Sequence, residues 1–253
     1  MSNPADSDIA RRGFLKTLAS AAATLPLPPP NAAAAIAGAS AATVATTSAT
    51  ASAQTAGNPA DGYQYFSIEE AALVEAVVDT MCPADQLTPS GTACGLATYI
   101  DRQLSGSFGN GGRTYMAGPW QTGKPQQGYQ LSLDPKSFFS AGAVAAQASC
   151  QTTTGKKFQE LSPTDRDAFL HSLSDGKITS ERVPLAQWFN DLLYPLFEQA
   201  CFADPIYGGN RDKVFWRMVG YPGLPAFNTL NVKEFRGKPF PDAKQPKSIQ
   251  DFS

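Results

Sequence analysis

The sequence predicts an all-α domain, irregular and with long loops, preceded by a disordered leader. Three observations carry this reading. From about residue 66 onward apolar residues recur at helical spacing, and no run sustains the period-two alternation of a half-buried strand. Capping residues open several of these runs: Ser67 with Glu70 three residues later, Asp134 before Pro135, and Ser162 before Pro163. The 21 Gly and 20 Pro among 253 residues supply punctuation for many turns and long connections.

The leader comes first. Ala10-Arg11-Arg12-Gly13-Phe14-Leu15-Lys16 is a twin-arginine export pattern, with Arg11, Arg12, Phe14, Leu15 and Lys16 as its signal residues. The apolar run from Thr17 to Leu25 is mostly alanine, too short and weak to anchor in a bilayer. Pro26, Pro28, Pro29 and Pro30 end any helix there, because proline lacks an N–H and clashes with the preceding turn. Residues 31–57 are almost wholly Ala, Thr, Ser and Gly, a composition that predicts disorder. Small-residue patterns favour cleavage after Ala53, an uncleaved arm being the alternative. The expected organisation is therefore a twin-arginine leader over 1–53, a linker over 54–65, a helical domain over 66–223 and a C-terminal extension over 224–253.

Within the domain, Leu73, Val74, Val77, Val78 and Met81 follow the Ser67 cap at helical spacing until Pro83. A second helix is expected to open at Thr92 and run through Tyr99, Ile100 and Leu104 to Gly106. A glycine-rich loop (Gly106, Gly109, Gly111, Gly112) and a connection around Trp120 to Tyr129 follow. The Asp134 cap starts a helix through Phe138, Phe139, Val144 and Cys150. The Ser162 cap starts one with Phe169, Leu170 and Leu173 buried and Gly176 as its stop. Pro184 opens the most apolar helix, carrying Leu185, Trp188, Phe189, Leu192, Leu193, Leu196 and Phe197, with a kink expected at Pro195. A short last helix spans Lys213 to Val219 and stops at Gly220.

Removing the leader leaves 200 residues, enough for one domain with its own core. The leader takes three basic residues (Arg11, Arg12, Lys16) and two acidic ones (Asp6, Asp8), leaving 17 basic against 20 acidic, a net charge of −3. With no basic stripe, nucleic acid is not an expected partner. Cys82, Cys94, Cys150 and Cys201 allow two disulfides in an oxidising compartment, or serve as buried core thiols. No Cys-x-x-Cys occurs, so iron–sulfur, c-type haem and structural zinc signatures are absent. His171, the only histidine, lies four residues after Asp167, as a surface ion pair on one helix face would. Gly106–Gly112 lacks the Gly-x-Gly-x-x-Gly order and the preceding strand of a nucleotide loop. Asp79, Asp85 and Asp101 follow no EF-hand order. No catalytic, cofactor-binding or metal residue is therefore assigned.

Two clusters are more specific. The first comprises Cys82-Pro83-Ala84-Asp85, Ser90 to Gly95, and Tyr99-Ile100-Asp101-Arg102-Gln103-Leu104. The second is Asp204-Pro205-Ile206-Tyr207-Gly208-Gly209-Asn210-Arg211-Asp212, leading into Trp216 and Tyr221. Its glycines and proline suit a tight turn able to present aromatic and arginine anchors, so Asp204, Tyr207, Asn210, Arg211, Trp216 and Tyr221 are the candidate partner-contact residues. A tie of the turn to the last helix through Arg211 and Asp204 is the structural alternative.

With Gly128-Tyr129-Gln130-Leu131, these segments are where the chain resembles subunit 3, the small subunit, of gluconate 2-dehydrogenase and related periplasmic sugar and sugar-acid dehydrogenases. The resemblance runs from about Phe66 to Gly223; the extension from Leu224 falls outside it. Cys82 stands where the family is commonly aliphatic, which suits a core thiol. The resemblance implies a large subunit that carries FAD and oxidises the sugar, and, where present, a cytochrome c subunit with haem c. It implies for the small subunit no redox group of its own, but a role in maturation of the large one and in its twin-arginine export. The expected function is thus a non-catalytic escort subunit in the periplasm, free or membrane-associated through its complex, whose partners are the FAD-dependent large subunit, a cytochrome c subunit and the twin-arginine translocase. Two other readings stay open: a self-sufficient secreted enzyme with Asp204, Arg211 and the aromatic cluster lining a pocket, and a free-standing periplasmic ligand-binding domain.

Overall fold

The computed structural model describes residues 62–121, 123–124, 127–224, 227 and 229–253. These form an all-α fold, as the spacing predicts; the described residues contain no strand, and the isolated bridge Gly223–Lys247 is the extended pairing seen among them. Helix α1 (Ile68–Met81) opens on the expected capping box, Ser67 accepting from the Glu70 N–H while Glu70 accepts from that of Ser67. It packs against α2 (Leu96–Ser105), α3 (Pro135–Thr154) and α4 (Pro163–Ser174). Asp134 and Ser162 cap α3 and α4 through the N–H groups of Ser137 and Asp165.

Helix α2 starts four residues later than expected. Residues 91–95 form tight turns instead, with Thr92 N–H donated to the Asp79 carboxylate at 2.7 Å. Gly95, in the left-handed region at φ +79, sits at the N-cap, and such a residue interrupts a helical run. Helix α3 runs past Cys150 to Thr154, and its Val144 faces outward rather than into the core.

The most apolar segment also departs from expectation. A short α5 (Leu185–Gln187) leads into a π-helical turn (Trp188–Leu193) and then α6 (Tyr194–Phe202). Ahead of Pro195, which has no N–H to offer, the turn widens so that Tyr194 N–H reaches the Phe189 carbonyl five residues back. The expected kink is thus a widened turn. It leaves Trp188, Phe189, Leu192, Leu193, Leu196 and Phe197 all buried.

Trp188 lies over Gly142 of α3, where a Cβ would come 2.1 Å from the indole; its Nε1 donates to the Phe139 carbonyl at 3.0 Å. That contact seats the apolar segment on α3, and Phe139 in turn stacks on Phe66 at 5.6 Å. All four cysteines are free and buried. Cys82 and Cys94 both point at the Pro89 carbonyl, 3.8 and 3.7 Å away. Burial pushes the Cys82 thiol up to about 11 and Cys201 well above its ordinary value. They behave as small core residues.

Candidate functional site

Helix α6 ends at Phe202 and the chain enters the second cluster. Asp204 caps a 3₁₀ turn, Pro205–Tyr207, its Oδ1 accepting from Ile206 N–H at 3.0 Å. Gly208, at φ +100, closes that turn. Asn210 is fully buried at φ +45: its Nδ2 donates to the Ala203 carbonyl at 3.2 Å and its Oδ1 accepts from Phe215 N–H at 3.0 Å. One amide side chain therefore joins the end of α6 to the start of α7 (Val214–Val219). Trp216 is buried as well, with Nε1 donating to the Phe202 carbonyl at 2.8 Å and its ring meeting Tyr221 edge-on at 5.1 Å.

The two sequence clusters meet here. Arg211 donates its backbone N–H to the Cys94 carbonyl at 3.0 Å and its guanidinium Nη2 to Thr98 Oγ1 at 3.2 Å. Gly95 faces the same turn, and a Cβ on it would come 2.2 Å from the Gly208 carbonyl oxygen and 2.7 Å from Arg211 Nε. Gly209 is required for space rather than for positive φ, since its own Cβ would meet the Ala200 carbonyl oxygen at 2.5 Å. Burial, with Tyr207 nearby, raises the phenol pKa of Tyr99 on the adjoining helix face.

The candidate residues thus divide into two sets. Tyr207 is 52% exposed and Tyr221 45%, so both present surface. Asn210 and Trp216 point inward and hold the turn's shape. Helix α7, expected to be the last, is followed by a helix at Thr229–Glu234, and Arg211 and Asp204 do not tie the turn to α7: Arg211 reaches Thr98 on α2, and Asp204 Oδ2 accepts from Ile249 N–H at 2.9 Å, far along the chain. The sequence pattern names Gly95 in the first cluster but does not join it, or Thr98, to this turn. A glycine inside the expected Thr92–Gly106 helix, at the end of the Ser90–Gly95 part of the first cluster, is the available signal. The export-signal residues Arg11, Arg12, Phe14, Leu15 and Lys16 lie outside the described residues.

Asp101 has a role that the sequence reading missed. It is buried on α2 and accepts three backbone N–H groups, from Gln64, Tyr65 and Phe66, at 2.7, 2.9 and 2.9 Å. The carboxylate fixes where the chain enters the domain. Asp79 and Asp85 likewise accept backbone N–H groups, from Thr92 and from Leu87 and Thr88. Among the described residues no three of His, Cys, Asp and Glu converge as a metal-holding group. His171 stands exposed, 3.8 Å from Asp167.

Two surface grooves flank the turn. One, of about 440 Å³, is lined by Pro205, Asp212, Lys213, Arg217 and residues 244–246 and 250–251; the other, of about 430 Å³, by Leu87, Pro89, Asp212, Val214, Arg217 and Met218. Neither is lined by Asp204, Arg211 or the aromatic cluster of Tyr207, Trp216 and Tyr221, the residues of the pocket alternative.

These features define a class: a helical domain whose late, tightly braced turn is wedged against the start of its second helix and shows two tyrosines to solvent. The model of the family described as gluconate 2-dehydrogenase subunit 3 matches residues 68–223, and the chain belongs to that family. No curated protein and no solved structure matches it. Membership makes the chain a subunit of a gluconate 2-dehydrogenase-like complex and implies association with other subunits of a dehydrogenase.

Proposed function

We propose that this chain is the non-catalytic small subunit of a periplasmic, FAD-dependent sugar or sugar-acid dehydrogenase, supporting maturation of the large flavoprotein subunit and its twin-arginine export. The family match over residues 68–223 carries the reading. The Arg11-Arg12-Gly13-Phe14-Leu15-Lys16 pattern supports the export route, because the translocase reads paired guanidinium groups that lysines do not reproduce. FAD resides in the partner, and haem c in a cytochrome subunit where the complex has one. The turn from Asp204 to Asp212 touches the flavoprotein, with Tyr207 as its outward anchor.

Purification of the native protein from its source tests this directly. A yellow polypeptide is expected to co-elute, while the isolated chain shows neither flavin nor haem absorbance and no turnover of gluconate or related sugars. Turnover by the chain alone, or stoichiometric cofactor in it, would favour the self-sufficient enzyme. In cells, Arg11-Arg12→Lys-Lys is expected to strand both polypeptides in the cytoplasm; arrival of the doubly substituted precursor through the twin-arginine route would refute the export assignment.

The contact residue has its own test. Tyr207→Ala is expected to weaken binding of the flavoprotein by about 2 kcal/mol, roughly 30-fold, as truncated aromatic anchors do. Because Tyr207 is half exposed, the melting temperature of the subunit should stay within about 2 °C. Undiminished co-purification of the variant removes Tyr207 from the interface.

A further inference from the structure

We infer that the C-terminal segment Lys247–Phe252, beyond the matched family region, is a latch that holds the strained turn Asn210–Lys213 in its presenting shape. The inference deepens the docking role proposed for that turn and rests on it for what the turn is for; the latch itself is built wholly from residues within this chain.

The turn is costly as built. Asn210, Asp212 and Lys213, none of them glycine, all sit in the left-handed region at φ +45, +55 and +56. Asn and Asp visit that region more readily than other L-residues and Lys does not, and three such residues within four persist where surrounding contacts over-determine them. Asn210 is held from within by its buried amide bonds. Lys213 is held from the tail: its Nζ donates to both carboxylate oxygens of Asp251, at 2.7 and 2.5 Å, with the two side chains 21% and 39% exposed.

The tail grips the same stretch at two further places. Ile249 N–H is donated to Asp204 Oδ2, so one carboxylate spans the turn's own cap and the tail. Leu224 N–H goes to the Lys247 carbonyl at 2.9 Å and Lys247 N–H to the Pro222 carbonyl at 3.0 Å, which docks the tail where the matched region ends. Gly223 allows that approach, since a Cβ there would meet the Lys247 carbonyl oxygen at 2.0 Å. The tail also carries bonds of its own. Ser248 is fully buried, and its N–H is donated to Asp251 Oδ2 at 2.6 Å, so the carboxylate that holds Lys213 also closes the tail's final turn. Three grips, at Asp204, Lys213 and Pro222–Leu224, bracket the whole Asp204–Gly223 stretch.

Hydrogen exchange on the full chain tests the latch without any partner. Asp251→Asn is expected to speed exchange of the Arg211 to Phe215 amides about fivefold, and a chain ending at Pro246 more than about twentyfold, with the α1 and α3 amides unchanged. Exchange in the turn within a factor of two of the parent in the truncated chain overturns the latch. Parallel acceleration of α1 and α3 also overturns it, because the tail would then be a general stabiliser. The docking role is read separately, by co-purification of the flavoprotein with Tyr207→Ala. A loosened turn in the truncated chain alongside full co-purification of the Tyr207 variant leaves the latch standing and the docking role refuted.

Discussion

Asp101→Ala is expected to destabilise the full chain by about 4 kcal/mol and lower its melting temperature by about 10 °C. The size follows from what the carboxylate does. It is 1% exposed and takes three main-chain N–H groups, from consecutive residues Gln64, Tyr65 and Phe66. Hydrogen bonds to a charged acceptor contribute more than neutral ones, and removing the acceptor leaves donors that the domain has already taken from water. Some of the loss is recovered by water reaching Gln64, which is exposed, so the effect stays below a full sum over three bonds. Asp101→Asn should cost about half as much, since one amide oxygen still accepts while the NH₂ group faces a donor. Phe66 stacks on Phe139, which bears on Trp188, so loosening residues 64–66 propagates into the core. Thermal denaturation followed by circular dichroism decides it. A loss under about 1 kcal/mol for the alanine variant would mean that the anchor is dispensable.

The same residue shows where the sequence was legible and where it was not. Caps could be read because their chemistry is local: Ser67 with Glu70, Asp134 with Ser137 and Ser162 with Asp165 each act across three residues. The apolar stripes of α1 and α4 could be read because burial imposes their period. Asp101 does give a signal, one set aside in the sequence because Asp79, Asp85 and Asp101 follow no EF-hand order. It falls on the buried stripe Ala97–Asp101–Leu104, and an acid placed there needs donors from elsewhere in the chain. Those donors lie 35 to 37 residues away, and nothing local identifies them.

The candidate site followed the same division. That the segment from Asp204 to Asp212 forms a tight turn was legible from its proline and glycines. Which of its side chains face outward was not, because that depends on Thr98, 113 residues from Arg211, and on Ile249, 45 residues from Asp204. Beside Gly208, positive φ angles fall on Asn210 and Asp212, residue types that tolerate them, and on Lys213, where no sequence rule looks for one. The widened turn ahead of Pro195 belongs with these. A proline announces a disturbance but does not say whether the helix bends or widens; here it widens, in the segment that Trp188 seats on Gly142.

Gly95→Ala is expected to separate the turn's shape from its surface. Alanine at φ +79 carries about 1 kcal/mol of backbone strain, and its Cβ would stand 2.2 Å from the Gly208 carbonyl oxygen and 2.7 Å from Arg211 Nε. Backbone on one side leaves little room to give, so overpacking adds about 2 kcal/mol, for a total near 3 kcal/mol and a fall of about 8 °C in melting temperature. The strain has one direction of relief, which is to push the Gly208–Arg211 segment away from α2. That movement breaks the Arg211 bond to Thr98 and displaces Tyr207, although Gly95 itself is buried and offers a partner nothing. Gly95→Ala should therefore lower both the melting temperature and the co-purification of the flavoprotein, whereas Tyr207→Ala lowers co-purification alone. Thr98→Val, close in shape but without an acceptor for Arg211, should cost about 1 kcal/mol of stability. If Gly95→Ala melts with the parent, the turn does not rest on α2. If it melts early yet still brings the flavoprotein down in full, the partner docks elsewhere on the domain.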